Sequence, residues 1–278
     1  MANEDVIDAE AETSPGKKRG WLSETVRFAV ILFLIAYVLR ALIVAPFNIP
    51  SPSMLPRLLS GDYLLVSKWP YGYSRFSFPF GLVSFDGRIW SAAPRRGDIV
   101  VFRFPGKNVD YVKRLIGLPG DQIQMRAGVL HINGEAVPKT RIADFLVPVT
   151  PNSPCPGDRP MVRQIAGADG KPICSYQRFR ETLPGGRSYE VLDQGATALD
   201  NTPVYLVPEG HYFMMGDNRD DSADSRVPRA MDGVDMLPEE NLIGRAMITF
   251  YSTDGSASWV KPWTWFTATR WDRIGGTY

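Results

Sequence analysis

One continuous apolar stretch constrains this chain more than any other feature of its sequence. Residues 28–47 are apolar except for Arg40, and a helix of this length spans about 30 Å, the thickness of the hydrocarbon core of a bilayer. Four basic residues, Lys17, Lys18, Arg19 and Arg27, flank its N-terminal side. By the positive-inside rule, these charges predict a single membrane-spanning helix with a cytoplasmic N-terminus and all later residues outside.

The same stretch has a second interpretation as a cleaved secretory signal peptide, because residues 28–39 alone match its apolar core in length. However, no small-x-small cleavage site follows cleanly. The nearest candidate, residues 43–45, precedes Pro46, whose tertiary amide is a poor scissile bond. The sequence therefore favours an uncleaved anchor over residues 26–46, preceded by a cytoplasmic tail of residues 1–25.

The composition beyond the anchor favours short strands and tight turns. Twenty-five Gly and 23 Pro accompany many β-branched and aromatic residues, and no segment beyond the anchor sustains a helical period. Strands are predicted at residues 62–68, 98–104, 110–116, 129–132, 203–207, 211–215 and 242–251. Asn133-Gly134 predicts a two-residue hairpin turn.

The charges of the 31 basic and 30 acidic side chains nearly cancel, so no global electrostatic field attracts nucleic acid.

Residues 135–200 differ in composition from the rest, with many Pro, Gly, Asp and Arg and few long apolar runs. This composition predicts a loop-rich insertion. The segment contains both cysteines, Cys155 and Cys174. In an oxidising compartment we expect them to form a disulfide, and two unpaired thiols are the alternative.

Aromatic residues are concentrated in two further segments, residues 69–90 and 259–271. Amphipathic rings suit a membrane interface, where one edge is apolar and the other wet. Ordinary packing within the sheets explains them equally well. The sequence leaves both interpretations open.

Ser53 lies just beyond the anchor and is a candidate nucleophile. A serine hydroxyl needs a base, but neither of the two histidines, His131 and His211, stands in a Ser or Asp signature. Both are predicted to be packing residues. Ser-Lys dyads are the known alternative to a histidine base.

Lys113 is the lysine that suits this role, because it lies inside an apolar strand. Loss of hydration among apolar neighbours favours the neutral amine and lowers the pKa. The other interpretation is a structural lysine paired with Asp110 or Asp121 at a strand edge. From the strand alone, this structural interpretation is favoured.

A third signal is the polar loop, residues 216–226, in which eight of eleven side chains are charged or carry a hydroxyl. Such a loop could be merely solvated, or could bind calcium, although it lacks the late Glu of an EF-hand. It could also build a supporting layer of ion pairs and hydroxyl groups behind an active site. Taken alone, the composition of the polar loop does not decide between these three interpretations.

Four blocks taken together, residues 46–56, 96–102, 111–121 and 216–226, resemble the bacterial type I signal peptidases. These are membrane-anchored serine peptidases that remove signal peptides from exported proteins. The resemblance implies a mostly β fold with a single N-terminal transmembrane helix and two antiparallel β-sheet domains, the second inserted into the first. The catalytic core would comprise residues 47–121 and 209–278, the latter including an aromatic C-terminal tail, and the insert residues 122–208.

The resemblance also implies a role for each matching residue. Ser53 would be the nucleophile and Lys113 the general base, while Ser51 Oγ and the Ser53 N–H would form the oxyanion hole. Ser222 would orient the amine, in front of an ion-paired scaffold of Asp217, Asp224, Arg226 and Arg114. Shallow apolar substrate pockets would be lined by Phe47, Ile49, Pro50, Val101, Tyr111 and Val112. Neither metal nor cofactor is implied.

Some positions depart from the family pattern. Pro52 stands where a glycine is common between the two serines, Arg57 replaces a threonine, and Asp221 stands where many members have Asn. There is one anchor where some relatives have two. The two cysteines are more widely spaced than the close pair of some members, so the resemblance does not support their pairing.

We therefore expect an endopeptidase that removes signal peptides at the outer face of the bacterial cytoplasmic membrane through an acyl-enzyme. The expected partners are signal-peptide-bearing pre-proteins and membrane lipid, with the secretion translocon as a further candidate. Two alternatives remain open at this point. One is a specialised Ser-Lys peptidase that processes a single conjugation or pilus precursor, and the other is an inactive, membrane-anchored β domain that binds partners.

Overall fold

The computed structural model describes residues 20–81 and 83–278, without the side chain of Phe80. The basic residues Lys17, Lys18 and Arg19 of the predicted tail lie outside the described residues. The chain divides into two compact units, with the boundary between Val38 and Leu39.

The first unit contains helix α1 (Trp21–Val38), none of whose residues is buried within the protein. With a π-helical turn at Leu39–Ile43 it forms a 23-residue segment that is long and apolar enough to cross a membrane. The predicted anchor at 26–46 overlaps this segment, but residues 44–46 belong to a strand in the structure. Pro46 explains the end: it lacks the N–H that a helix needs and disfavours a helical conformation in Ala45.

Strands are the main regular elements of the second unit, as the sequence predicts. In chain order they are β1 (Val44–Asn48), β2 (Asp62–Ser67), β3 (Tyr73–Ser74), β4 (Arg88–Ile89), β5 (Ile99–Arg103), β6 (Asp110–Gly117), β7 (Gln122–Arg126), β8 (Val129–Ile132), β9 (Glu135–Ala136), β10 (Lys139–Pro148), β11 (Val162–Ala166), β12 (Pro172–Thr182), β13 (Ser188–Asp193), β14 (Tyr205–Leu206), β15 (His211–Met215), β16 (Leu237–Pro238) and β17 (Leu242–Ser252). A short helix, α2 (Thr264–Ala268), follows them.

The largest sheet has seven antiparallel strands in the order β1-β2-β17-β5-β6-β15-β16. It combines the first strands of the second unit with the last ones, because β17 lies between β2 and β5. This arrangement places β6, which carries Lys113, in the interior of the sheet. Val100 on β5 is the cross-strand partner of Lys113.

The segment between β6 and β15 forms two separate four-stranded sheets. One has the order β14-β7-β8-β9, and the other consists of β10, β12 and β11 with β13 paired to β12. The prediction of a loop-rich segment over residues 135–200 is therefore wrong, since β10 to β13 lie within it. Their many exposed polar residues hide the alternation that marks a strand. The domain boundaries at 122 and 208 remain a prediction.

Apolar side chains from several strands hold the central sheet together. Val100 and Phe102 of β5, Leu115 of β6 and Met214 of β15 are fully buried in one cluster. Each such side chain contributes about 1.5–3 kcal/mol by its removal from water. This core fixes the backbone of β6 and so determines where Lys113 lies.

In the structure Cys155 and Cys174 form a disulfide, with 5.4 Å between their Cα atoms. Cys174 lies on β12 and is completely buried. The bond ties the loop before β11 to the interior of its sheet.

The two aromatic segments have different environments. In the first, Tyr71 is buried and its hydroxyl donates to Asp98 at 3.0 Å, whereas Trp90 is exposed. In the second, Trp259 and Phe266 are both exposed. Packing therefore accounts for part of the first segment only, and contact with a bilayer remains a prediction for the exposed rings.

Candidate active site

Ser53 lies in a short 3-10 turn, Pro52–Met54, that directly follows strand β1 and its extended continuation. Ser51 is extended, with φ −127° and ψ 153°, the conformation favoured before a proline. Pro52 occupies the first position of the turn, where its fixed φ is suitable and its missing N–H costs nothing. The proline that replaces the family's usual glycine is thus compatible with this turn, and Ser53 is 7% exposed.

Lys113 meets this serine from strand β6, sixty residues later in the chain. Its Nζ lies 2.6 Å from Ser53 Oγ, and the lysine is 4% exposed. Neither carboxylate proposed as a structural partner is paired with it: Asp110 pairs with Arg103 at 2.6 Å, and Asp121 with Arg96 at 2.8 Å. Lys113 is therefore not held at a strand edge by an ion pair with either residue.

Burial lowers the pKa of the Lys113 amine to about 8, while Asp224, Asp217 and Asp221 oppose this effect by favouring the charged form. The amine also lies 5.5 Å from the centre of the Tyr111 ring. A lysine with this pKa is partly neutral near physiological pH, which is the condition for a general base.

Two donors lie beside the serine hydroxyl. Ser51 Oγ is 3.2 Å from Ser53 Oγ, and either hydroxyl could donate this bond. Within residues 20–81 and 83–278, the backbone N–H of Ser53 donates to no protein acceptor. Both groups are therefore available to an oxygen that approaches from the solvent side.

The polar loop lies directly against the serine turn. The backbone N–H of Asn218 donates to the Ser53 carbonyl at 3.1 Å, and Asn218 Nδ2 donates to the Pro52 carbonyl at 3.2 Å. Asn218 was not among the predicted site residues. It lies within the polar loop, but its contact with the serine turn joins residues 165 positions apart in the chain, which spacing alone cannot reveal.

Two buried ion pairs of this loop join the four residues that the resemblance names as its scaffold. Arg114 donates to the two oxygens of Asp217 at 2.7 and 2.6 Å. Arg226 donates to the two oxygens of Asp224 at 2.9 and 2.8 Å. Burial opposes the charged form of Asp224, but Arg226 keeps its pKa below the usual value.

Calcium binding by the polar loop finds no support in the described part of the chain, because no group of three or more His, Cys, Asp or Glu side chains there has the arrangement of a metal site. Neither histidine lines the cleft that contains Ser53: His131 Nδ1 contacts the Val129 carbonyl and His211 Nδ1 the Glu209 carbonyl, each at 3.0 Å.

Gly216 opens the polar loop and lies where no side chain fits. A Cβ at this position would lie 2.5 Å from the Ser53 carbonyl oxygen and 2.2 Å from Ser222 Oγ. Its N–H donates to Asp224 at 2.9 Å. The absence of a side chain at Gly216 thus lets the loop approach the serine turn closely.

Ser222 is buried at the site, but it does not hold the amine by a hydrogen bond as expected. Its Oγ has no hydrogen-bond partner among the described residues, and Lys113 donates only to Ser53. The structure therefore places Ser222 within the polar loop, close to Gly216, without the predicted contact. A hydroxyl rotates about a single bond, so its orienting role stays a prediction.

A cleft of about 310 Å³ opens in front of Ser53 and Lys113. Of the predicted substrate-binding residues, it is lined by Ile49, Pro50, Tyr111 and Val112. Val101 does not reach it, because this side chain is completely buried in the core. Phe47 does not line it either, since it packs against the same core cluster from strand β1.

Several residues that line the cleft were not predicted as substrate contacts. They are Asn48, Pro52, Met54, Val109, Asp110, Asp221 and Ala223. Asn48 and Met54 are neighbours in the chain of predicted contacts, so proximity in the sequence could have identified them. Asp221 and Ala223 reach the cleft only through the fold of the polar loop.

Comparison with known proteins gives the class to which this chain belongs. A family model described as "Signal peptidase, peptidase S26" matches residues 22–251, which is most of the chain. The chain therefore belongs to the signal peptidase family, peptidase S26. Membership of this family supports a serine endopeptidase and does not favour the two alternatives, a single-precursor peptidase and an inactive binding domain.

The individual relatives agree with this assignment. Signal peptidase I of Rickettsia typhi is 40% identical over 238 residues, which cover 81% of this chain and 80% of the relative. Signal peptidase I of Rickettsia canadensis is 37% identical over 257 residues, covering 89% and 84%. A crystal structure of a signal peptidase I from Enterococcus faecalis covers 55% of this chain and 97% of that chain at 23% identity, with a TM-score of 0.28. At this TM-score the likeness supports no argument about fold.

Proposed function

We propose that this chain removes signal peptides from exported pre-proteins, with Ser53 as the nucleophile and Lys113 as the general base. The observation that carries the proposal is the distance of 2.6 Å between Lys113 Nζ and Ser53 Oγ, with both residues buried. A hydroxyl and an amine at this separation can exchange a proton without further movement.

The first half of the reaction forms an acyl-enzyme. The neutral amine of Lys113 takes the hydroxyl proton as Ser53 Oγ attacks the carbonyl carbon of the scissile bond. Negative charge then develops on the carbonyl oxygen, which accepts hydrogen bonds from Ser51 Oγ and the Ser53 N–H. The ammonium of Lys113 next protonates the leaving amine, so the mature protein departs and the signal peptide remains as an ester on Ser53.

The second half releases the signal peptide. A water molecule takes the place of the leaving amine, and the neutral Lys113 removes its proton as it attacks the ester carbonyl. The same two donors stabilise the second tetrahedral intermediate. Its collapse breaks the ester bond and returns the proton to Ser53 Oγ through Lys113, which restores both groups.

The pKa of Lys113 determines the fraction of enzyme molecules in which the amine is neutral and can act as the base. With a pKa of about 8, roughly a tenth of the amines are neutral at pH 7. A peptide bound in the cleft excludes more water from the amine, and desolvation favours its neutral form further. Substrate binding therefore increases the reactive fraction.

The size of the cleft suits small residues before the cleaved bond. Its volume of about 310 Å³ must hold several residues of the substrate backbone as well as their side chains. One extra methylene in such a pocket changes discrimination by about 1–3 kcal/mol. Contacts to the side chains alone therefore select small residues only moderately, and positioning of the substrate at the membrane must add to the selection.

We also propose a single-pass topology in the bacterial cytoplasmic membrane, with the N-terminus in the cytoplasm and residues after Ile43 outside. The apolar segment Trp21–Ile43 and the basic residues before it support this orientation. Ser53 follows Ile43 by ten residues in the chain. Membrane lipid and the secretion translocon are accordingly proposed as partners, together with the pre-proteins.

Cleavage of one defined pre-protein by the detergent-solubilised enzyme tests the function. We expect one cut after a small-x-small sequence, identified by N-terminal sequencing of the product. The matched control is the same pre-protein with Trp at the position just before the cut, which should not be cleaved. Equal cleavage of both, or cleavage within the mature region, would contradict the proposal.

A further inference from the structure

A second cavity, of about 520 Å³, lies apart from the cleft of Ser53, and the two share no lining residue. Its walls come from the start of β5, from β6, β12, β13 and β17, and from residues near the C-terminus. The proposed peptidase reaction makes no use of this cavity.

The cavity is strongly basic. Besides Arg114, it is lined by Arg57, Arg178, Arg180, Arg187, Arg245 and Arg273. Among the described residues that line it, the acidic side chains are those of Asp98 and Glu190. Both are already engaged, since Asp98 pairs with Arg187 at 2.7 Å and Glu190 with Arg178 at 3.0 Å.

Two of the guanidinium groups have no anionic partner. In the part of the chain that the structure describes, the side chains of Arg180 and Arg245 lie within 4.0 Å of no carboxylate and donate no hydrogen bond. Arg245 is nevertheless half-buried. Arg180 is exposed. A partly buried cation without an acceptor is unfavourable, so a bound anion would stabilise Arg245 in this arrangement.

Arg57 adds a third group with spare donors. Its guanidinium donates to the Thr277 carbonyl and lies 4.9 Å from the centre of the Tyr278 ring, and it forms no ion pair with any described acidic side chain. It stands where the family resemblance predicts a threonine, so this part of the basic wall is a departure from that pattern.

We propose that this arginine cavity binds a phosphate group, as a soluble phosphate or as the headgroup of a phospholipid. Each guanidinium presents a planar fork of donors that matches two oxygens of a phosphate. A phosphate offers several oxygens to forks that converge from different walls, whereas a single carboxylate satisfies one fork only. The shape and charge of the cavity therefore favour phosphate over an acidic side chain.

Titration calorimetry on the full-length protein in neutral detergent tests this proposal at constant ionic strength. The probes are inorganic pyrophosphate, inorganic phosphate and dioctanoyl-phosphatidylglycerol. The zwitterionic comparison is dioctanoyl-phosphatidylcholine, and the carboxylate comparison is tetraglutamate. We expect the double variant Arg180→Gln/Arg245→Gln to raise the Kd of the bound probe at least about tenfold, because two charge-assisted contacts are lost.

The matched control is Arg126→Gln/Arg163→Gln, which removes the same two charges from exposed positions outside the cavity and should leave the Kd unchanged. If the first variant does not fold, Arg180→Lys/Arg245→Lys replaces it and should weaken binding by an intermediate factor. Binding of inorganic phosphate or pyrophosphate identifies a soluble ligand, and binding of phosphatidylglycerol alone identifies a headgroup. The proposal is overturned if no probe binds, if both double variants lose affinity equally, or if tetraglutamate binds as tightly as pyrophosphate.

Discussion

Lys113 is subject to two opposing demands at the scale of the single residue. Its amine must be buried against Ser53 to act as a base, and burial of an ammonium is unfavourable. Burial lowers the pKa of this amine to about 8, although the effect is partly offset by the carboxylates of Asp224, Asp217 and Asp221. This residue should therefore limit both the pH range of activity and the stability of the fold.

The pH dependence of kcat/KM follows directly from this pKa. Only the neutral amine can accept the proton of Ser53, so the rate should rise with pH and level off above about 8. Because kcat/KM reports the pKa values of the free enzyme, the rising part of its pH profile should coincide with the titration of Lys113. An acid limb near ~6.5, where histidine titrates, would contradict the assignment of the base.

Replacement of Lys113 by Met should abolish activity and stabilise the fold. The lysine binds more protons in the unfolded state between pH 8 and 10.5, so the stability of the wild type rises with pH across this window. Below pH 8 the buried amine is charged, and the free energy of unfolding is lowered by the full amount, on the order of 3 kcal/mol. We expect Lys113→Met to unfold at higher denaturant concentration at pH 7, with the difference lost above pH 10.5.

The exposed Lys171 provides the matched control for this experiment. Lys171→Met should not change the unfolding midpoint at either pH. A Lys113→Met variant that is less stable than the wild type at pH 7 would show that the amine is not disfavoured by its surroundings.

Gly216→Ala should impair catalysis while the substrate still binds. The added Cβ would lie 2.5 Å from the Ser53 carbonyl oxygen, so the serine turn or the polar loop must shift. A displacement of about 1 Å at a reacting group costs on the order of 100-fold in rate. Steady-state kinetics should show this loss in kcat, with a small change in KM.

Gly157→Ala serves as the comparison, because no atom lies within 4 Å of a Cβ at that position. Its kinetics should match those of the wild type. Wild-type kcat in Gly216→Ala would mean that the close approach of the loop has no catalytic importance.

Contacts between elements link the middle of the chain to the active-site loop. Glu181 at the end of β12 pairs with Arg219 of the polar loop, and both side chains are buried. The hydroxyl of Tyr189 on β13 donates to the same carboxylate at 2.7 Å. Strands without a predicted catalytic residue thus hold the loop that contacts Ser53.

Glu181→Gln should destabilise the protein by about 3–5 kcal/mol, because it leaves the Arg219 charge buried without its partner. Denaturant unfolding of the detergent-solubilised protein measures this change. The control is Asp144→Asn, which breaks an ion pair with Arg141 in which each side chain is 42% exposed. Such a pair contributes about 0–1 kcal/mol, so equal effects of the two variants would refute the account of the buried pair.

The strands show what could be predicted from the sequence and what could not. The predicted strands at 129–132 and 211–215 form with the predicted bounds, because each is a short and largely apolar run that turn residues flank. The long strands β10 and β12 were missed, since packing within their own sheet outweighs a composition typical of loops. Val101 was expected in the cleft, but its burial depends on the packing of β5 against the serine turn.

The site itself was predicted from motifs, and its geometry was not. Sequence spacing gives no distance between Ser53 and Lys113, which meet only because the sheet places β6 opposite the serine turn. Asn218 and Gly216 owe their contacts to the same tertiary arrangement. The missing hydrogen bond of Ser222 also depends on a side-chain rotation that no motif specifies.

At the scale of the whole molecule, one apolar helix precedes a β-rich unit that carries every residue of the proposed reaction. Membership of the signal peptidase family and the position of Ser53 soon after the apolar segment support the same function. The central claim is that two residues from different elements, Ser53 and Lys113, act as one catalytic unit.

Cleavage rates of one pre-protein by the wild type, Ser53→Ala and Lys113→Ala test this claim most directly, with Ser60→Ala as the control serine outside the cleft. Loss of either member of such a unit should lower kcat by about 10⁴-fold or more, while Ser60→Ala retains the wild-type rate and circular dichroism shows all variants folded. Wild-type cleavage by a folded Ser53→Ala or Lys113→Ala variant would contradict the account.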